Sequence, residues 1–318
     1  IGVRLVGSEM CIRDRSSRRV WVTIRETLVL LCIAIGLTPA FKMKFWNIGA
    51  EGQILMGGMA TAALMIYAGD AMPNWLLLIL IFIASAAAGL IWGLIPAVFK
   101  AYFNTNETLF TLMLNYVAMQ LVTFAIVFWE NPSGSNTVGI INAAGQKGWF
   151  PSIFGNMYGL NVIVVLIITL GMYVYMKYSK QGYEIAVVGE SQNTARYAGI
   201  NVKKVIIRTM MLSGAICGIA GCLIVSGASH TISTSTAGGR GFTAIIVAWM
   251  SKFNPFAMIL VSAFLVFMQQ GSIQIASQFG LNENASDIIT GILLFFLIGC
   301  EFFINYKLEW KKNHKEGK

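Results

Sequence analysis

Residues Trp75–Phe99 read WLLLILIFIASAAAGLIWGLIPAVF, 25 residues without one charged side chain. A hydrocarbon core about 30 Å thick is crossed by about 20 apolar residues in a helix. This stretch is therefore long enough to span a bilayer with some tilt. Working outwards, similar runs are Thr27–Phe41, Ile54–Ala68, Phe110–Phe128, Leu160–Tyr178, Val205–Ser226, Pro255–Gln270 and Ile288–Tyr306, with a shorter one at Gly241–Met250. Several fall short of a full crossing. That pattern points to broken or tilted helices, which a membrane tolerates only where protein or a watery cavity satisfies the freed backbone groups. The expected fold is all-α: a polytopic integral membrane protein of about 8–10 transmembrane or half-spanning helices, with breaks near residues 42–53 and 238–254.

Composition agrees. Of 318 residues, 56% are hydrophobic and 12% charged, against about 25% charged in soluble domains, and the mean hydropathy is +0.68. An ordinary soluble enzyme is excluded. Two His residues rule out a His-cluster metal site, and the five Cys show no zinc-type or disulfide spacing.

The net charge of +9 is a topology label, because Lys and Arg concentrate in cytoplasmic loops. Lys177–Arg208 holds six basic residues and the tail from Lys307 to Lys318 holds five. Both are expected inside, with Lys100 and Lys252. The loops Asn131–Gly159 and Gly271–Asp287 are expected outside, and Gln269, Gln270, Gln274 and Gln278 read as wet outer loop. Arg18, Arg19 and Arg25 break this alternation weakly. Residues 1–15, IGVRLVGSEMCIRDR, lack a start Met and resemble a translated adapter read-through. Without them Lys+Arg falls from 23 to 20 and Asp+Glu from 14 to 12, leaving +8. The expected organisation is thus a non-native stretch at 1–15 and one transmembrane domain over 16–318, preceded in the native protein by a further helix. The basic residues follow topology, so nucleic acid is not an expected partner.

Polar residues inside a membrane domain are costly and mark function or helix contacts. Phe45–Gln53, FWNIGAEGQ, places Asn47, Glu51 and Gln53 among glycines between two apolar runs. It reads equally as a tight turn or as part of a pathway. Glu107, Thr111 and Asn115 recur every four residues and so share one helix side, which should face protein or water. Gly182–Asn201 is too polar to cross. Ser191 can cap a helix of about two turns there, and Gly199 can end it in the left-handed conformation. Ser213–Gly221 carries small residues at the spacing that lets helices pack closely. Gly238–Gly241 looks like the start of a half-helix with its N-terminus at a cavity, although Arg240 fits the outer headgroup zone better.

Four segments together resemble the permease subunits of ABC importers for nucleosides and simple sugars, within the broader group of ribose and branched-chain amino acid permeases. They are Asn47–Gln53, Thr105–Tyr116, Ala186–Ile200 and Gly239–Ala248, in order across nearly the whole chain. The resemblance implies a translocation path for a nucleoside or simple sugar, with Asn47, Glu51, Gln53, Glu107, Thr111 and Asn115 as substrate-path candidates. It also implies a cytoplasmic coupling segment over 179–204 that docks on an ATPase, through Glu190, Ser191, Asn193, Arg196 and Tyr197. Implied partners are an ABC ATPase subunit, a second homologous permease, an extracytoplasmic substrate-binding lipoprotein and membrane lipid. The implied location is the cell (plasma) membrane, multi-pass.

The sequence has no G-x-x-x-x-G-K-[ST] motif, so ATP is expected on a partner and no cofactor on this chain. No nucleophile–base pair or metal-ligand spacing appears, which reads as a translocation subunit and not an enzyme. The alternative is an ion-coupled secondary transporter of a small polar solute. That needs an acid deep in the membrane, whereas the acidic residues fall at or near the ends of the apolar runs.

Overall fold

The computed structural model describes residues 2–152 and 158–280, together with 288, 291, 292, 295, 296 and 299. Among the described residues the α-helices are, in chain order, α1 (Gly2–Lys42), α2 (Ala50–Ala68), α3 (Asn74–Phe103), α4 (Glu107–Trp129), α5 (Gly159–Tyr178), α6 (Lys180–Glu190), α7 (Gln192–Tyr197), α8 (Val202–Ile224), α9 (Arg240–Met250) and α10 (Pro255–Gln278). A π-helical turn, Val225–Ser229, continues α8. There is no strand among the described residues. Among the described residues, six helices are long and apolar enough to cross a membrane. The final run, Ile288–Tyr306, lies largely outside the described residues.

Two compact units divide the chain, residues 1–263 and 264–318. The first holds α1–α9 and the opening of α10. The second holds the remainder of α10, where the structure corrects one expectation: Gln269, Gln270, Gln274 and Gln278 lie on the helix and not in a loop. Glutamine is a good helix former, and polarity alone misplaces it.

In the first unit α8 is the central helix. Its most apolar window is 78% buried, against 22% for α5 and 28% for α3, so α3 and α5 keep broad faces for lipid or partners. The small residues of α8 explain its position. A Cβ built on Gly214 would land on the carbonyl of Gly89 in α3. One built on Gly218 would meet Ser85 of α3, and one on Gly221 the carbonyl of Ile54 in α2. Backbone meets backbone at these crossings, as the spacing in Ser213–Gly221 implies.

Beyond α4, the loop 130–152 folds over the ends of α2, α3 and α8. Asn142 donates to the Met65 carbonyl (2.7 Å), and Asn74 accepts from the Gly148 amide (2.8 Å). Trp149 stacks on His230 with ring centroids 3.7 Å apart. Burial, helped by the Arg25 cation, holds the His230 imidazole below its ordinary range, so the stacked ring is neutral at pH 7.

A side chain at Gly218 has no room, whereas one at Gly171 of α5 meets nothing within 4 Å. Gly218→Leu is expected to cost more than about 3 kcal/mol, since the obstacle is backbone. Gly171→Leu is expected to leave the fold intact. Size-exclusion profiles of the two variants in detergent check this: aggregation for the first, a wild-type peak for the second.

Candidate functional site

The segment joining α1 to α2 does not run along the membrane surface. It turns back into the protein, with Lys44 in the left-handed region (φ 58°) and the Phe45 amide donating to Ala40 O (3.0 Å). α2 then begins level with Asn115 of α4. Asn115 is eight residues beyond Glu107, or roughly 12 Å along the helix axis. A helix start leaves its first N–H groups without internal partners, and lipid supplies none. Here α4 supplies partners at Ile48 and Gly52. Asn115 Oδ1 accepts from the Gly52 amide (2.9 Å) while its Nδ2 donates to Ile48 O (2.9 Å). Thr111 Oγ1 accepts from the Ile48 amide (3.3 Å) and donates to Glu107 O (2.7 Å).

The loop is also closed from within. Asn47, fully buried, accepts from the Gly49 amide (3.1 Å) and donates to Ser213 Oγ of α8 (3.3 Å). It faces the Gln53 amide in a reciprocal pair at 3.4 Å. Gly52 is required here: a Cβ would sit 2.9 Å from Trp92 Nε1 and 3.0 Å from Asn115 Oδ1.

Glu51, in the first turn of α2, accepts from the Gly241 amide at 2.7 Å. Gly241 opens α9, an 11-residue half-helix whose N-cap, Gly239, is left-handed (φ 73°). Two helix N-termini, both positive ends of backbone dipoles, thus converge on one buried carboxylate. The half-helix is as expected, and Arg240 in its first turn is ion-paired. Its guanidinium donates to Glu26 of α1 (2.7 and 3.0 Å) and to Thr236 O (3.1 Å), and Glu26 also pairs with Arg25 (2.5 Å). A part-buried cation is stabilised by such partners.

A cavity of about 250 Å³ opens at this junction, lined by Glu51, Asn115, Tyr116, Thr234, Ser235 and Phe242 among others. Of the six path candidates, the structure brings Glu51 and Asn115 to the cavity. Asn47, Gln53 and Thr111 hold the loop behind it. Glu107 instead pairs with Lys100 at the α3–α4 corner (2.8 Å). The sequence reading missed Thr234 and Ser235, although the run Thr231–Thr236, one residue before two glycines and a short apolar helix, was an available signal. Among the described residues no group of His, Cys, Asp or Glu stands where it would hold a metal ion.

At the far end of α1, α6 and α7 form the polar segment. Ser191 caps α7 by accepting from the Thr194 amide (3.3 Å), and Gly199 ends it with φ 77°. The outer face of α7 is open: Asn193 and Arg196 are exposed and Tyr197 is 93% exposed, with Glu190 exposed just before it. Its inner face is not. Ala195 is buried in one apolar cluster with Ile185, Val188, Val205, Met210, Met43 and Phe45. The exposed helix is therefore packed against the same segment, two residues upstream, that carries Asn47.

Residues 22–298 match the family described as the branched-chain amino acid transport system permease component. The chain belongs to that permease family. It is similar to the guanosine ABC transporter permease protein of Bacillus subtilis, 30% identical over 278 residues, covering 86% of this chain and 79% of that protein. It is also similar to the glucose ABC transporter permease protein of Haloferax volcanii (28%, covering 88% and 76%) and the nucleoside ABC transporter permease protein of Lactococcus lactis (26%, covering 92% and 82%). No solved structure matches. The permease is a multi-pass protein of the cell membrane.

In this permease Asn115→Leu leaves the Gly52 amide and the Ile48 carbonyl without partners. At about 1–3 kcal/mol for each unsatisfied group, the expected loss is about 2–6 kcal/mol. Thermal unfolding in detergent checks it. Thr111→Val, which leaves one weaker acceptor missing, is expected to fall between wild type and Asn115→Leu.

Proposed function

We propose that this permease is the membrane-spanning subunit of an ATP-driven importer for a nucleoside, with a simple sugar as the neighbouring substrate class. The cavity at the α2–α9 junction carries this reading. Tyr116 and Phe242 place exposed aromatic rings on it, and a nucleobase stacks on such surfaces. Glu51, Thr234, Ser235 and Asn115 supply acceptors and hydroxyls suited to ribose. Two of the relatives carry nucleosides and one carries glucose, by name.

In this reading α7 docks on a separate ATPase subunit at the cytoplasmic face through Glu190, Ser191, Asn193, Arg196 and Tyr197. ATP is bound and hydrolysed there, so the permease itself needs no cofactor and catalyses no reaction. A second homologous permease completes the path, and an extracytoplasmic binding lipoprotein delivers substrate. When the ATPases close, movement of α7 passes through Ala195 and the apolar cluster to Met43 and Phe45. From there it reaches the Asn47 loop, the start of α2 and the Glu51–Gly241 contact that closes the cavity wall. Access then alternates by rocking of packed helices.

Uptake of radiolabelled guanosine by cells expressing the whole transporter tests the substrate class. Unlabelled nucleosides are expected to compete, and branched-chain amino acids are not; competition by glucose alone moves the assignment to sugars. Loss of a charge-assisted hydrogen bond in Glu51→Gln is expected to lower uptake roughly tenfold at normal expression. Arg196→Glu is expected to abolish uptake and ATPase co-purification together. Uptake that persists without the ATPase and collapses with a protonophore would refute the ATP-driven reading in favour of ion coupling.

A further inference from the structure

A second cavity, of about 350 Å³, lies on the other side of α1, between α1, α5 and the turn from α9 to α10. Its volume falls within the range of small-molecule sites. Its lining is divided by chemistry. Ile35, Met172, Met176 and Phe256 form an apolar trough, while Lys42 and Lys177 stand at one end with Tyr173 and Asn254. Both lysines are exposed. They belong to the last turns of α1 and α5, so they stand at the same end of the helices as α6.

The charges are uncompensated. Lys42 and Lys177 make no ion pair among the described residues, and the residues lining the trough include no acid. Lys177 donates to the Tyr173 hydroxyl (3.0 Å) and lies over the Tyr173 and Tyr178 rings (5.3 and 5.4 Å to the centroids), but none of these partners carries a negative charge. Met172 and Met176 are pliant side chains of the kind that adapt to irregular apolar partners. A soluble anion accounts for the lysines but leaves the trough without purpose. A neutral lipid fills the trough but leaves the lysines.

We propose that this groove binds one anionic phospholipid of the surrounding leaflet, its phosphate between Lys42 and Lys177 and an acyl chain along Met172, Met176 and Phe256. Basic pockets between membrane helices on this side are suited to such headgroups. The lipid would bridge α1, which leads into the Asn47 loop, to α5, which leads into α6. The site is separate from the proposed translocation cavity, and its test is independent of the substrate.

The test is native mass spectrometry of the full chain in detergent, titrated with phosphatidylglycerol, with phosphatidylcholine or with inorganic phosphate. Phosphatidylglycerol is expected to bind at least tenfold more tightly than phosphatidylcholine, with no saturable binding of phosphate alone. In Lys42→Gln/Lys177→Gln this preference is expected to vanish, because each lysine contributes to the headgroup attraction. Lys42→Arg/Lys177→Arg is expected to restore it. Met176→Trp, which fills the trough and keeps both lysines, is expected to lose phosphatidylglycerol as well, and decides the matter by itself if the glutamine variant aggregates. Equal binding of the two lipids, an unchanged preference in the glutamine variant, unchanged binding in Met176→Trp, or binding of free phosphate alone would each overturn the proposal.

Discussion

A backbone that begins a helix inside an apolar medium has donors and acceptors that nothing outside the protein can satisfy. The start of α2 faces this constraint, and one side chain meets it at two points. Asn115 is suited because a carboxamide both accepts and donates, and it uses the two ends on Gly52 N and Ile48 O. A leucine or a threonine at that point of α4 answers one need or neither. Once α2 is fixed there, Glu51 projects to the amide of Gly241, which joins the start of the half-helix α9 to α2 beside the Arg240–Glu26 pair that ties it to α1.

The same segment ties the proposed site to the polar end of the molecule. Phe45 and Met43 share a cluster with Ala195 of α7 and Ile185 and Val188 of α6, and a Cβ at Gly189 of α6 would strike the carbonyl of Lys42. Close-packed contacts transmit displacement, because the interior cannot absorb it by compression. In the proposed function, the route from the exposed face of α7 to the cavity at Glu51 is this cluster followed by the nine consecutive residues 43–51. Arg240, paired with Glu26, anchors the other side of the same cavity to α1.

Much of this was legible in the sequence because it is local. Apolar runs became helices, Ser191 and Gly199 bound α7, and Ser213–Gly221 packs backbone against backbone. The stripe Glu107, Thr111, Asn115 rightly announced a face turned toward protein. What periodicity cannot carry is the partner. Nothing near Asn115 in the chain says that it serves an amide 63 residues away and a carbonyl 67 residues away. Nothing near Arg240 points to Glu26, 214 positions earlier. Glu107 shared the stripe but sits at the corner within reach of Lys100, so the periodicity that grouped it with Asn115 could not separate their surroundings. The Thr231–Thr236 run was passed over because its importance comes from where α9 starts, which is decided by Glu51.

Hydrogen–deuterium exchange on wild type and Asn115→Leu, resolved by peptide, tests this arrangement most directly. If Asn115 holds the start of α2, and α2 in turn holds α9, then peptides covering residues 45–53 and 239–244 lose protection together in the variant, while α3 and α8 remain protected. Unchanged protection at 45–53, or a loss there that leaves 239–244 as in wild type, would contradict it.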